Sequence, residues 1–294
     1  MDWRRAKNIL LAILILLNLF LFVNVLSVKD PFNFTGKYQK DAKKALQAAG
    51  VIITCNIPSY APVGRISFAQ NDPTVYADFI RRLIGAPVDV SAGNWPYDDV
   101  LKNAGDTLTI QGSYFIYTSE NNQEQFPADN LKKLDQKLRI WLKEKTGLKE
   151  VFVQDGLVQN GNTITTEYVR KYKNLPLFSQ RIRFTLVDGR LTRMEGSIKI
   201  LYAIKASKSV DEIISPHIVL LTGKDKVQGI VESVELGYLS LQGDDLYDTP
   251  VWRVTLASGD VVWFNAYTGE FLENGSDTAS KTSLLFTPPI DIVQ

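Results

Sequence analysis

The sequence predicts an α+β protein: an N-terminal transmembrane helix followed by an extracytoplasmic part of two helix-plus-antiparallel-sheet domains. Three observations predict it. Ile9 to Val28 contains no charged residue. Leu131, Leu134, Leu138, Trp141 and Leu142 recur at the spacing of one helical face. Strand-like segments then flank Asn160-Gly161 and Asp188-Gly189, dipeptides that turn hairpins because both residues tolerate positive φ.

At about 1.5 Å per residue, the uncharged run is long enough to cross a hydrocarbon core of about 30 Å. Arg4, Arg5 and Lys7 precede it, whereas the charges of Lys29 and Asp30 behind it cancel. The positive-inside rule therefore places residues 1–8 in the cytoplasm, the anchor at 9–28 and the remainder outside. A cleaved signal peptide has an apolar core of only about 7–15 residues and a small-residue cleavage site. The one candidate site here, Val25-Leu26-Ser27, is poor. Asn18 stands near mid-span, where a polar side chain seeks a partner helix. It shares a face with Leu11, Leu14 and Val25, the expected partner-binding face of the anchor.

The outer part divides at the polar run Glu120 to Gln125, giving domains at 32–122 and 127–273 and a flexible tail at 274–294. In the first domain, Tyr38 to Ala49 has helical spacing and stops at Gly50. Val51–Thr54 and Arg65–Gln70 read as strands. Asp72-Pro73 opens a helix that ends at Gly85. Ala86 to Ala104 is punctuated by Pro and Gly and reads as a loose region, followed by strands at Thr107–Ile110 and Ser113–Thr118.

The second domain begins with the Leu/Trp helix, capped by Asp129 and ended by Gly147. Val151–Val158 with Thr163–Tyr172, and Gln180–Val187 with Leu191–Ile204, form two hairpins. Ile182, Phe184 and Leu186 alternate with Arg181, Arg183 and Thr185, a period of two with one buried and one wet face. Ser209 and Glu212 have capping-box spacing for a helix running toward Leu221, and Ser215-Pro216 offers a second start. Strands at Ile230–Leu241, Pro250–Ala257 and Asp260–Tyr267 follow, with Trp252, Val254 and Leu256 on one face.

A net charge of +1 over 294 residues supplies no field for nucleic acid. The single Cys55 cannot form an internal disulfide, so stability must come from core packing. His217 is the only histidine, so any Ser-His-Asp or Cys-His unit would need it, and it lies in an apolar segment. Asp98-Asp99 and Asp244-Asp245 are adjacent loop carboxylates, the wrong arrangement for a pair facing across a sugar. Asp244, Asp245 and Asp248 lack the twelve-residue calcium-loop pattern. No phosphate-binding, dinucleotide-binding or zinc motif is present, and no cofactor or metal is expected. Trp95, Tyr97, Tyr238, Tyr247 and Trp263 are aromatic candidates for a protein-contact surface.

A helix followed by antiparallel strands occurs from Asp129 to Lys205 and again from Ser209 to Glu270, and such units resemble the small helix-plus-sheet modules of the PepSY type. More specifically, Met1-Asp2-Trp3-Arg4-Arg5-Ala6-Lys7 with Leu17-Asn18-Leu19-Phe20-Leu21 is similar to the start of the YycI (WalI) family. Tyr172-Lys173-Asn174-Leu175-Pro176-Leu177-Phe178, Pro250-Val251-Trp252-Arg253-Val254 and Phe264-Asn265-Ala266-Tyr267-Thr268-Gly269-Glu270 are similar to it too. The resemblance implies a single-pass membrane protein of a Gram-positive bacterium that is not an enzyme. It implies two partners, the sensor histidine kinase WalK (YycG) and a YycH-like protein, in the two-component system governing cell-wall metabolism. The other readings are an extracytoplasmic ligand- or peptide-binding module and a cell-wall hydrolase.

Overall fold

The computed structural model describes residues 7–8, 10–11, 13–20, 36–70, 72–85, 99–120, 124–206, 211–241 and 246–273. The described residues of 7–20 are helical, and their apolar side chains from Leu10 to Phe20 are exposed. Among the described residues no helix is long and apolar enough to cross a membrane. Residues 21–28 of the expected anchor, the link at 32–35 and the tail at 274–294 lie outside the described residues.

The described residues from 36 to 273 form a sheet-rich α+β fold. Its elements in order are α1 (Gly36–Ala48), β1 (Ile52–Ile53), β2 (Ile66–Ala69), α2 (Pro73–Ile84), β3 (Asp99–Asn103), β4 (Asp106–Gln111), β5 (Tyr114–Ser119) and α3 (Leu131–Thr146). There follow β6 (Val151–Asn160), β7 (Thr163–Tyr172), β8 (Leu175–Val187), β9 (Arg190–Ser197), a 3-10 turn at Ile198–Leu201 and β10 (Ala203–Ala206). The chain closes with α4 (Pro216–Thr222), β11 (Ile230–Leu239), β12 (Tyr247–Leu256) and β13 (Val261–Asn265).

Local chemistry sets the helix ends. The Asp72 carboxylate accepts from the Thr74 N–H at 2.9 Å, satisfying one of the donors a helix start leaves open, and Gly85 closes α2 at φ 68°. For α3 the cap is Asn130, which accepts from the Lys133 N–H at 3.1 Å, and not the expected Asp129. Leu134, Leu138, Trp141 and Leu142 are buried as the stripe requires, but Leu131, in the first turn, is exposed. The helix expected from Ser209 starts instead at Pro216 with Ser215 before it, and Asp211 is bridged to Val63 in extended backbone.

The hairpins differ in detail from their sequence signals. Asn160 pairs with Thr163, so the turn residues are Gly161 and Asn162, with φ positive only at Gly161. Asp188 and Gly189 both have positive φ, as read. Lys173-Asn174 is a further tight turn with positive φ at both positions, and Ala104-Gly105, at the end of the stretch expected to be loose, turns β3 into β4. The strand expected over Leu191–Ile204 breaks at the 3-10 turn, and its last part becomes β10, which pairs with β2. Val51 is buried but the strand after it is only two residues long, with Ile52 exposed.

The strands form a branched sheet in the order β10-β2-β12-β11-β8-β9-β5-β4-β3, with β13 on β12, β7 on β8 and β6 on β7. Helices cover one face in two groups. α2 and α3 pack on β4, β5, β7, β8 and β9 through Phe79, Phe115, Trp141 and Phe184. α1 and α4 pack on β11, β12 and β13 through Leu46, Leu220, Trp252 and Phe264.

The cores therefore do not divide where the domains were expected to divide. β5 pairs with β9 from Tyr114↔Ser197 to Thr118↔Arg193, and α1 belongs to the core of the C-terminal strands. The polar run at 120–125 links parts of one sheet because a β-edge such as β9 is satisfied by whichever strand arrives, near or far in sequence. The two halves meet where β8 and β11 run parallel at Leu177↔Tyr238. Gly237 permits that approach: a Cβ there would stand 2.7 Å from the Pro176 carbonyl oxygen and 2.4 Å from Phe178.

Candidate functional site

Helices fill one face of the sheet, and the opposite face carries polar side chains beside a small apolar cluster of Phe178, Leu239, Val251 and Trp263. On β8 the alternation puts Ile182, Phe184 and Leu186 under the helices and Arg181 and Arg183 on the open face. The arginines meet Glu167 of β7: Arg181 Nη1 donates to it at 3.1 Å, and Arg183 donates to it through Nε at 2.8 Å. Arg183 also reaches Glu195 of β9 at 3.2 Å, which in turn accepts from Arg193 at 2.7 Å. The ladder crosses three strands, β7, β8 and β9.

A second group closes this face toward β11 and β12. β6 carries a bulge between Gln154 and Gly156, and an unpaired extra residue of this kind re-aims its side chain. That residue is Asp155. It accepts two bonds from Arg253 of β12, at 2.8 and 2.7 Å, and forms an ion pair with Arg181 at 3.2 Å. Arg253 also pairs with Glu235 of β11 and lies 4.4 Å over the Phe178 ring. Burial works against the Asp155 charge, but the Arg253 hydrogen bonds and the charges of Arg181 and Arg253 outweigh it and hold the carboxyl below its ordinary range. For Arg253, burial is likewise outweighed by Asp155 and Glu235, and its pKa is raised.

Two adjoining pockets, of about 810 and 730 Å³, share Gln154, Asp155, Glu235 and Arg253 as a common wall and form one open groove. One end is walled by Val153, Val169, Val234 and Leu236, with Lys171 and Lys173 beside them. The other ends at Trp263 and Asp260. Concave, partly apolar surfaces with a few placed charges are where ligands bind. Of the groove carboxylates, Asp155 is held in its ionised form by Arg253 and Arg181, and Glu167 and Glu235 are each ion-paired with arginine.

The residues singled out from sequence fall mostly elsewhere. Leu11, Leu14 and Asn18 are exposed on the N-terminal helical stretch, and the Asn18 amide donates to the Leu14 carbonyl at 3.0 Å; Val25 lies outside the described residues. His217 packs against Tyr38, whose hydroxyl is 2.8 Å from Nδ1 and 2.9 Å from Nε2, and burial lowers its pKa. Asp248 is fully buried and accepts from the Ser179 hydroxyl at 2.7 Å. Asp98, Asp244, Asp245, Trp95 and Tyr97 lie outside the described residues. Among the contact candidates, Tyr247 is exposed, whereas Tyr238 and Trp263 are buried. Among the described residues no cluster of His, Cys, Asp and Glu could hold a metal ion.

Sequence reasoning identified the wet face of β8 but missed Asp155, Glu167, Glu235 and Arg253 as its companions. Their partners come from separate strands, and no local pattern marks such a set.

No family model matches the chain, and no curated protein matches it. Among solved structures it is similar to the C-terminal domain of Bacillus megaterium YpeB, at 12% identity and a TM-score of 0.41, over 69% of this chain and 96% of that one. A likeness of that size assigns neither family nor activity.

Proposed function

We propose that this chain is a membrane-anchored, non-enzymatic regulatory module that acts by contacting other proteins outside the cell. Its finer form is a regulator of the sensor histidine kinase WalK (YycG), acting with a YycH-like protein to control the system that governs cell-wall metabolism. The observation that carries the reading is the resemblance of both chain ends to the YycI family: the basic Asp2-to-Lys7 segment before an uncharged apolar run, and the Pro250-Val251-Trp252 and Phe264-to-Glu270 segments. The arginine-paired carboxylates of the groove support a binding role over hydrolysis.

In this reading the anchor spans the membrane from residue 9 to 28, and Leu11, Leu14, Asn18 and Val25 face a partner helix. The test is co-purification of the kinase and the YycH-like protein from detergent-solubilised membranes, with the full chain and with a chain lacking residues 1–30. Loss of both partners on truncation is expected. Equal recovery by the truncated chain would move recognition to the outer part, and recovery by neither would overturn the reading.

The second reading, a peptide-binding module, is favoured by the groove, whose end at Lys171 and Lys173 has apolar walls.

A further inference from the structure

The open face holds four arginines, at 181, 183, 193 and 253, and four carboxylates, at 155, 167, 195 and 235, joined by ion pairs. Their charges cancel. Two cations of the groove stand outside this set. Lys171 is half-buried on β7 with no ion pair among the described residues, and Lys173 contacts the Tyr172 ring at 5.4 Å. A half-buried ammonium ordinarily takes a counter-charge, because removal from water disfavours it. The end of the groove at Lys171 is therefore positive and apolar, while Asp260 stands at the opposite end.

The strand bordering this end is also incomplete. β6 pairs only with β7, so over Val151–Asn160 its outer edge carries no strand among the described residues. An edge of that kind presents rows of N–H and C=O groups to an arriving extended chain. Val151 and Val158, exposed on β6, add apolar surface beside it.

We infer that the groove beside β6 binds an extended acidic segment of a partner protein, its backbone pairing with the edge of β6 and a carboxylate meeting Lys171 and Lys173. The inference deepens the reading of a partner-binding module and rests on it. Charge complementarity selects the occupant: the arginines are already neutralised, so among the described cations of the groove the two lysines remain to be matched, and a basic segment would meet them unfavourably.

The experiment titrates the purified full-length chain in detergent with a fluorescein-labelled alternating Glu-Val peptide as long as β6, followed by anisotropy. The expected result is saturable binding that weakens at high salt. It should weaken roughly tenfold or more in a Lys171→Glu, Lys173→Glu variant and persist in a Lys132→Glu, Lys133→Glu variant altered on α3. A Lys171→Met variant with an unchanged Tm serves if the double reversal fails to fold, and the same direction of change is expected. An alternating Lys-Val peptide should not bind, and an N-methylated Glu-Val peptide should bind more weakly. Equal affinity in the groove and α3 variants, equal binding of the Lys-Val peptide, or no binding at all would overturn the inference. So would displacement of the peptide by phosphatidylglycerol vesicles, which would make the lysines a lipid contact. The titration contains no kinase and the co-purification contains no peptide, so each reading can fail without the other.

Discussion

Arg253 and Asp155 meet through two parallel hydrogen bonds, 2.8 and 2.7 Å long, although they lie 98 residues apart on β12 and β6. Both side chains are largely buried, at 13% and 8% exposure, so each supplies the charge that makes the other's burial tolerable. Arg253→Ala leaves the Asp155 carboxylate facing only Arg181. The expected loss is about 3–5 kcal/mol, read as a lower urea midpoint with an unchanged slope. A loss inside the error of the wild-type midpoint would show that the pair contributes nothing net.

The same carboxyl sets an acid limit. Its folded pKa lies below the ordinary value of 3.8, so the stability it lends is complete above the unfolded value and is lost as pH falls from there through the folded value. Asp155→Asn should therefore flatten the fall in stability below about pH 4, where Asp carboxyls titrate. Parallel Tm curves for the two proteins across that range would contradict the assignment.

His217 acts at milder pH. Burial lowers its pKa from 6.5, so the folded state holds the imidazole neutral while the unfolded chain binds the proton first. The stability this confers is full above 6.5 and declines as pH drops through the folded value. His217→Gln should reduce the slope of Tm between about pH 6.5 and 5, the range in which an unperturbed imidazole charges. Proton titration of the single histidine by NMR gives an independent reading, with an apparent pKa at or above 6.5 being the adverse result.

Gly237→Ala tests the junction of the two halves. The added methyl would stand 2.7 Å from the Pro176 carbonyl oxygen, so β8 and β11 must move apart. Overpacking of this kind costs about 1–3 kcal/mol, measurable by denaturant unfolding. Wild-type stability in the variant would show that the junction yields freely.

For the proposed anchor, Asn18→Leu removes the polar group from the face containing Leu11 and Leu14. Interhelical polar contacts in membranes contribute about 0.6–2 kcal/mol, so partner recovery should fall by a few-fold at equal expression. Unchanged recovery and unchanged kinase output would remove Asn18 from the contact, consistent with its bond to the Leu14 carbonyl being sufficient.

What the sequence determined by itself was local. Asp72, Gly85 and Gly147 mark helix ends because capping is decided by a few neighbouring atoms, and Asp188-Gly189 marks a turn because φ belongs to single residues. The alternation over β8 assigned Arg181 and Arg183 to a wet face for the same reason. Where two neighbours had similar chemistry, the register slipped by one, as at Asp129 and Asn130, and Lys173-Asn174 lacked the glycine that announces a turn. Only the tertiary structure decided which edges pair. It placed β5 on β9, sent α1 to the C-terminal core, and brought Asp155 to Arg253. A strand's backbone groups are identical whatever its sequence, so partner choice follows from how all the apolar faces are buried together, and a groove lined by six strands comes into being only when that burial is complete.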